Sequence, residues 1–229
     1  MNLDGIRILR RPPRLLVAAR AGMLAGLIAA ALGGTAHAAL PSNAAVADLV
    51  ACDDREGIKA LGPEVLPVLV RLYRAGDEER RNDLAVLFYW LGWKSEEARA
   101  AMMADVHTEH QALRLHVQWA LGRVSNDDSV VDALLDNMLH DPNPLFRNKA
   151  ACGLADDQIH LTEEQKVRLY ERLIELLESP IEEARRLAGQ ILYIHVGQAK
   201  GFRANFPPEQ RAKSVERWRQ WLAEYRESL

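Results

Sequence analysis

Asp141-Pro142-Asn143-Pro144-Leu145-Phe146-Arg147-Asn148-Lys149-Ala150-Ala151-Cys152-Gly153 decides the reading of the whole chain. Its two prolines cannot continue a helix but suit the first turn of a new one, and Asp141 or Asn143 can cap that helix. Leu145, Ala150, Ala151 and Leu154 then recur at spacings that give one short helix a close-packing face. Weaker copies of this segment occur on both sides of it.

Small-residue endings recur at Ala60-Leu61-Gly62, Trp90-Leu91-Gly92, Ala120-Leu121-Gly122 and Ala151-Cys152-Gly153, with the glycines 30, 30 and 31 residues apart. A fixed period in this range is the signature of stacked helix pairs, because two helices of about 12 residues and two turns fill it. Within the period, helices are expected over 44–61 and 64–75, 78–91 and 95–104, 109–121 and 128–139, and 143–152 and 162–178. A fifth unit opens with 180–196. Ser42 or Asn43 can cap the first helix, and Thr162 with Gln165 reads as a capping box. Gly189 follows Gly153 by 36 residues and falls inside a longer helix, so the period drifts there. A polar link over 197–208 leads to a final amphipathic helix, with Arg211, Val215, Trp218, Leu222, Tyr225 and Leu229 on one stripe. Such a helix closes the open end of a stack.

The chain has 229 residues, 48% hydrophobic and 27% charged, which is enough to bury a sizeable core. Aromatics are scarce beside Ala, Leu, Arg and Glu, so an all-helical chain is expected. The first forty residues do not share that character. Arg7, Arg10, Arg11, Arg14 and Arg20 precede an uncharged run from Ala21 to Gly34, and Ala36-His37-Ala38 follows. This order reads as a secretory signal peptide over 1–38, cleaved after Ala38. The run is shorter than the roughly 20 residues of a membrane span, which leaves no span after cleavage. Arg10-Arg11 is a poor twin-arginine signal because Pro12 and Pro13 follow. Leu49-Val50-Ala51-Cys52 imitates a lipoprotein box without the hydrophobic run that one requires.

Without residues 1–38, which hold five arginines and Asp4, 24 basic residues face 31 acidic ones, a net charge of −7. That balance argues against nucleic acid or an anionic membrane as the main partner. Cys52 and Cys152 lie three repeat units apart, too far for a disulfide within one chain when layers are about 8–10 Å apart. A bond between chains through Cys52 stays open.

The segment 141–153, with its Asp-Pro turn, following arginine, paired small residues and closing glycine, resembles the first-helix signature of HEAT repeats, above all the short variety found in phycobilisome-lyase-like proteins. Ser179 to Ala188 is a looser copy and Gln111 to Gly122 a looser one again. The resemblance covers about residues 44–196. It implies a right-handed α-α superhelix of the HEAT or armadillo kind over 39–196, with 197–229 as link and capping helix. It also implies protein binding and scaffolding, with only a subset of relatives acting on bilin chromophores. Tetratricopeptide repeats compete as a fold. Their period is about 34, but they want a tyrosine three residues after Leu-Gly, where this chain has Ser95 and Ser125.

No phosphate loop, nucleophile elbow or cysteine-pair metal motif is present in the sequence. Cys152 stands in the column of Leu61, Leu91 and Leu121, which predicts a small apolar plug rather than a nucleophile. His107, Glu109 and His110, with His116 beyond, are the only metal-ligand types in a cluster, but His107 falls in the turn before the helix and His116 nearly two turns from His110, so a solvated turn and helix start is the simpler account. Phe88, Tyr89 and Trp90, with Trp93 just beyond, close a helix that is apolar almost all round from Leu84 to Leu91, which means burial or a face kept for a partner. Trp119 is expected in the core, Trp218 on the packing stripe and Trp221 half exposed. Arg71, Arg74, Lys166, Arg168 and Arg172 fall on second helices, which the resemblance places along the inner, concave surface. They are candidates for a partner-binding strip, but Glu171 and Glu175 share those faces, as on a charge-laced solvated helix. The expectation is a non-catalytic, exported protein-binding scaffold without cofactor. A small-molecule-handling enzyme like the bilin lyases and a metal binder through His107, Glu109 and His110 are the alternatives.

Overall fold

The computed structural model describes residues 42–155 and 159–229. The expected signal segment lies outside the described residues. Among these, every regular element is a helix: α1 (Asn43–Ala51), α2 (Arg55–Ala60), a 3-10 turn (Pro63–Val65), α3 (Leu66–Ala75), α4 (Glu78–Leu91), α5 (Glu96–Met103), α6 (Gln111–Val124), α7 (Asp128–His140), α8 (Pro144–Ala155), α9 (Glu163–Leu176), α10 (Glu182–Val196) and α11 (Pro208–Glu227). The fold class is all-α.

Local chemistry sets the ends of these helices. Ser42 caps α1 by accepting from the Ala45 N–H at 3.2 Å. The single helix expected over 44–61 is in fact two. Asp53 adopts a left-handed conformation (φ 54°), and Asp54 starts α2 by accepting from the Gly57 N–H at 2.9 Å. Asx side chains that hydrogen-bond locally tolerate this conformation, so two successive aspartates break the helix. Thr162 and Gln165 make both bonds of the capping box at the start of α9. In the opening stretch Asn143 caps α8, with Oδ1 accepting from the Leu145 N–H at 3.0 Å, while Asp141 accepts from the Asn143 N–H at 2.8 Å. Leu145 itself points out, 55% exposed, and Phe146 takes the core position expected of it.

α4 packs on α6, α6 on α8 and α8 on α10, forming one row. In the other set α3 packs on α5 and α9 on α11, and the two sets meet through α3 with α4, α5 with α6, α7 with α8 and α9 with α10. One apolar cluster runs from Val46 to Leu222 between them. α4, α6, α8 and α10 begin 33, 33 and 38 residues apart, not the 30, 30 and 31 of the glycine column. Gly92 ends α4 in a left-handed C-cap (φ 64°), but Gly122 and Gly153 lie within α6 and α8, so the glycines are not equivalent positions. The longer last interval accompanies Gly189, where an added Cβ would come 3.1 Å from the ring of Phe202.

The structural register is marked by an arginine at the fourth residue of each helix in this row: Arg81, Arg114, Arg147 and Arg185. Nη1 of Arg114, Arg147 and Arg185 donates to the backbone carbonyl six residues earlier, on Thr108, Asp141 and Ser179, at 2.6, 2.7 and 2.7 Å. The rest of each guanidinium reaches forward. Arg114 donates to Asp141 at 2.8 and 3.2 Å, Arg147 to Glu183 at 3.1 and 2.8 Å, and Arg185 to the Ala204 carbonyl at 2.9 Å. Arg81 stands 3.6 Å from Asp105, which also accepts from the Tyr73 hydroxyl at 2.7 Å. Burial and this anionic neighbour push the Tyr73 phenol well above its ordinary range, so it stays a donor. Arg114, Arg147 and Arg185 thus each fix their own turn to the segment that follows, while Arg81 makes only the looser contact with Asp105.

The C-terminal link is pinned in the same manner. Arg211 donates to the Phe206 carbonyl at 2.6 Å and Arg217 to the Lys200 carbonyl at 2.8 Å. α11 then lays Val215, Trp218 and Leu222 into the cluster. Trp221 is half-buried, while Leu229 at the end of the expected stripe is exposed.

Candidate functional site

The residues expected to bind a partner separate into two groups. Arg168 donates to Asp128 at 2.9 Å and Arg172 to Asp132, so both bridge α9 to α7 at matching one-turn intervals. Lys166 pairs with Glu163 at 2.8 Å, and Arg71 donates to Asn43 at 2.8 Å. Further along, Arg219 pairs with Glu178, Arg226 with Glu171, and the Tyr225 hydroxyl donates to Glu163. α7, α9 and α11 are therefore stitched to one another by their own charges. Arg74 is exposed and makes no ion pair among the described residues.

The aromatic group is placed differently. Phe88 is buried, but Tyr89, Trp90 and Trp93 are only partly buried against the core. Trp119, expected in the core, is also half-buried, with its ring 5.9 Å from Tyr89 and 5.4 Å from His116. Cations overlie these rings: Lys59 over Trp90 at 5.1 Å, Arg123 over Tyr89 at 5.1 Å and Lys149 over Trp119 at 5.8 Å. Gly92 is what admits Arg123, since a Cβ there would come 2.6 Å from its Nη2. Burial and the nearby Arg123 charge hold the Lys94 ammonium below the ordinary lysine range. An aromatic and cationic edge thus crosses α4, α6 and α8.

A groove of about 560 Å³ lies beside the C-terminal end of α8. Buried Ala155, Ile159, Leu161 and Tyr170 line it together with Ile194, and Cys152, His160, Lys166 and His195 supply its polar groups. Cys152 is therefore exposed and free, not the apolar plug expected of it, because in the 33-residue register it stands opposite Trp119 rather than Leu121. Cys52 is free and exposed as well. Both ring nitrogens of His195 are engaged. Nε2 donates to the Leu154 carbonyl at 2.9 Å, which fixes Nδ1 as the acceptor for the Tyr170 hydroxyl at 3.2 Å. Burial and then the Glu163 charge push Tyr170 up to about 12, which keeps it protonated and donating. His195 closes a carbonyl left open where α8 ends, and neither nitrogen is left to activate a thiol.

The histidine cluster does not converge. His110 caps α6, with Nδ1 accepting from the Leu113 N–H at 3.2 Å and Nε2 lying 3.5 Å from Glu79. His107 turns to Asp136 of α7 at 3.7 Å, and His116 Nδ1 shares a 2.7 Å hydrogen bond with Asn82. Among the described residues no group of three His, Cys, Asp or Glu side chains is arranged to hold a metal ion. No described helix is long and apolar enough to cross a membrane.

Sequence reasoning found Tyr89 and Trp90 but not Lys59, Lys149, Tyr170 or His195. Their contacts join residues 25 to 41 positions apart, and no local spacing signals them. Compared with known proteins, the chain matches no family model, no curated protein and no solved structure.

Proposed function

We propose that this protein is an exported, non-catalytic scaffold. In this reading its helix pairs stack as a right-handed HEAT-like superhelix and hold another protein on the aromatic edge of α4, α6 and α8. The superhelical reading is supported by the recurring fourth-position arginine, which stands where the HEAT-like signature carries one, and by α4, α6, α8 and α10, each of which packs on the next. The location rests on the signal-like segment at residues 1–38.

One observation carries the choice of surface. Arg168 and Arg172 are spent on α7, whereas Tyr89, Trp90 and Trp119 remain half open beneath cations and Trp93 is half open beside them. Tyr and Trp in such amphipathic positions are what interface centres are made of. Affinity capture from a periplasmic extract tests this, comparing the wild type with Trp90→Ala and Arg74→Glu. A specific partner lost in Trp90→Ala and kept in Arg74→Glu is expected. Retention in both variants, or no specific partner, sinks the reading.

The groove at Cys152 favours a second reading, a small-molecule site. A low-molecular-weight compound that survives native purification and is lost on Ile194→Asp would establish it. A clean native mass spectrum would dismiss it.

A further inference from the structure

We propose that the aromatic edge takes an acidic, extended segment of its protein partner, with carboxylates on Lys59, Lys94 and Lys149 and apolar side chains against Trp90, Trp93 and Trp119. This rests on the protein-binding reading above and names the chemistry of the partner.

The distribution of ion pairs carries it. Most arginines of the described residues end on a carboxylate or a backbone carbonyl of the chain itself. Lys59, Lys94 and Lys149 make no ion pair among the described residues. Two of them are nonetheless held in place, over the Trp90 ring at 5.1 Å and the Trp119 ring at 5.8 Å, and the third follows Trp93 directly. A lysine resting on a ring has lost part of its hydration and rotamer freedom while keeping its N–H donors, which favours capture of an incoming carboxylate.

The whole chain works against this local field, because residues 39–229 carry a net −7. Long-range steering of an anionic partner is therefore weak, and recognition has to come from short-range contacts with rings and lysines together. A peptide can supply both at a spacing of a few ångströms, since alternate side chains of an extended segment point the same way. An anionic bilayer offers its charge as a broad plane, which the acidic remainder of the molecule repels.

The test uses the purified protein and three fluorescein-labelled ten-residue probes, alternating Glu–Leu, Lys–Leu and Glu–Gly, read by anisotropy. Vesicles containing phosphatidylglycerol are run in parallel by sedimentation. The Glu–Leu probe is expected to bind at least about ten-fold more tightly than the other two, a difference of ~1.4 kcal/mol. The Lys59→Glu/Lys94→Glu/Lys149→Glu variant should lose that preference, with circular dichroism and Tm unchanged. If this variant does not fold, Trp119→Ala carries the test and should weaken the Glu–Leu probe about five-fold. Equal binding of all probes, an unaffected lysine variant, vesicle binding without peptide binding, or occlusion of the edge by a second copy of the chain would each overturn the inference. If the periplasmic partner is captured through Trp90 while the Glu–Leu probe fails to compete, only this inference falls. If no partner is captured, the reading beneath it falls too.

Discussion

Arg114 and Asp141 show how a single residue pair holds the repeat register. Their side chains are 8% and 0% exposed, with Nε to Oδ2 at 2.8 Å. Removing one partner strands the other's charge in a low dielectric, so Asp141→Ala or Arg114→Ala is expected to cost ~3–5 kcal/mol. The double change Arg114→Met/Asp141→Leu should recover part of that loss, because two charges no longer need to be desolvated. Urea denaturation of the three variants checks this, and equal losses in all three would show that shape rather than charge is at stake. His116 ties stability to pH. Burial holds its pKa below the ordinary value of 6.5, only partly offset by the Asp83 charge. Above pH 7 the ring is neutral whether the chain is folded or not. Below about 6.5 the unfolded chain takes the proton first, so stability falls as the pH drops toward 5. His116→Gln, which can still reach Asn82, should flatten that part of the Tm-against-pH curve.

Among the elements, α11 depends most on one side chain. Trp218 is wholly buried between α11 and the rest of the cluster, and its ring meets Trp221 at 5.4 Å. Trp218→Ala should cost ~3–5 kcal/mol by the cavity it leaves. Loss of the apparent cooperativity of unfolding, with α11 melting first, would show that the cap is a separate unit instead. This helix was readable beforehand because Val215, Trp218 and Leu222 recur at helical spacing and nothing distant has to be known to place them. The same holds for α4, α5 and α7, whose ends are set by Asp77, Ser95 and Asp127 caps. The break between α1 and α2 was not readable. It depends on a left-handed Asp53, a conformation most sequences with two aspartates have no need to adopt.

For the molecule as a whole, the succession of helices was legible and the interval between those that pack in one row was not. Glycines draw the eye because they often end helices, yet of the four in the recurring endings Gly62 and Gly92 follow helix ends with positive φ while Gly122 and Gly153 lie inside helices. Arg114, Arg147 and Arg185 mark the interval better because each reaches a carbonyl six residues back and the following segment at once. The same slip moved Cys152 from a core column to the surface. It also hid the division of labour between the two sides, since whether Arg168 or Lys149 is already paired depends on residues 40 and 30 positions away. Arg168→Glu/Arg172→Glu removes two exposed ion pairs and brings like charges to Asp128 and Asp132. It should therefore lower stability by only ~0.2–1 kcal/mol per site. On the proposed function, capture of a protein partner should then stay within about two-fold of wild type, since neither arginine lies on the aromatic edge. Lys149→Glu changes one charge instead of two and touches no ion pair among the described residues. It should leave Tm nearly unmoved and reduce capture several-fold. Side-by-side capture and thermal melts of the two variants decide the matter: if the double arginine variant releases the partner and Lys149→Glu retains it, the binding surface is the ion-paired row.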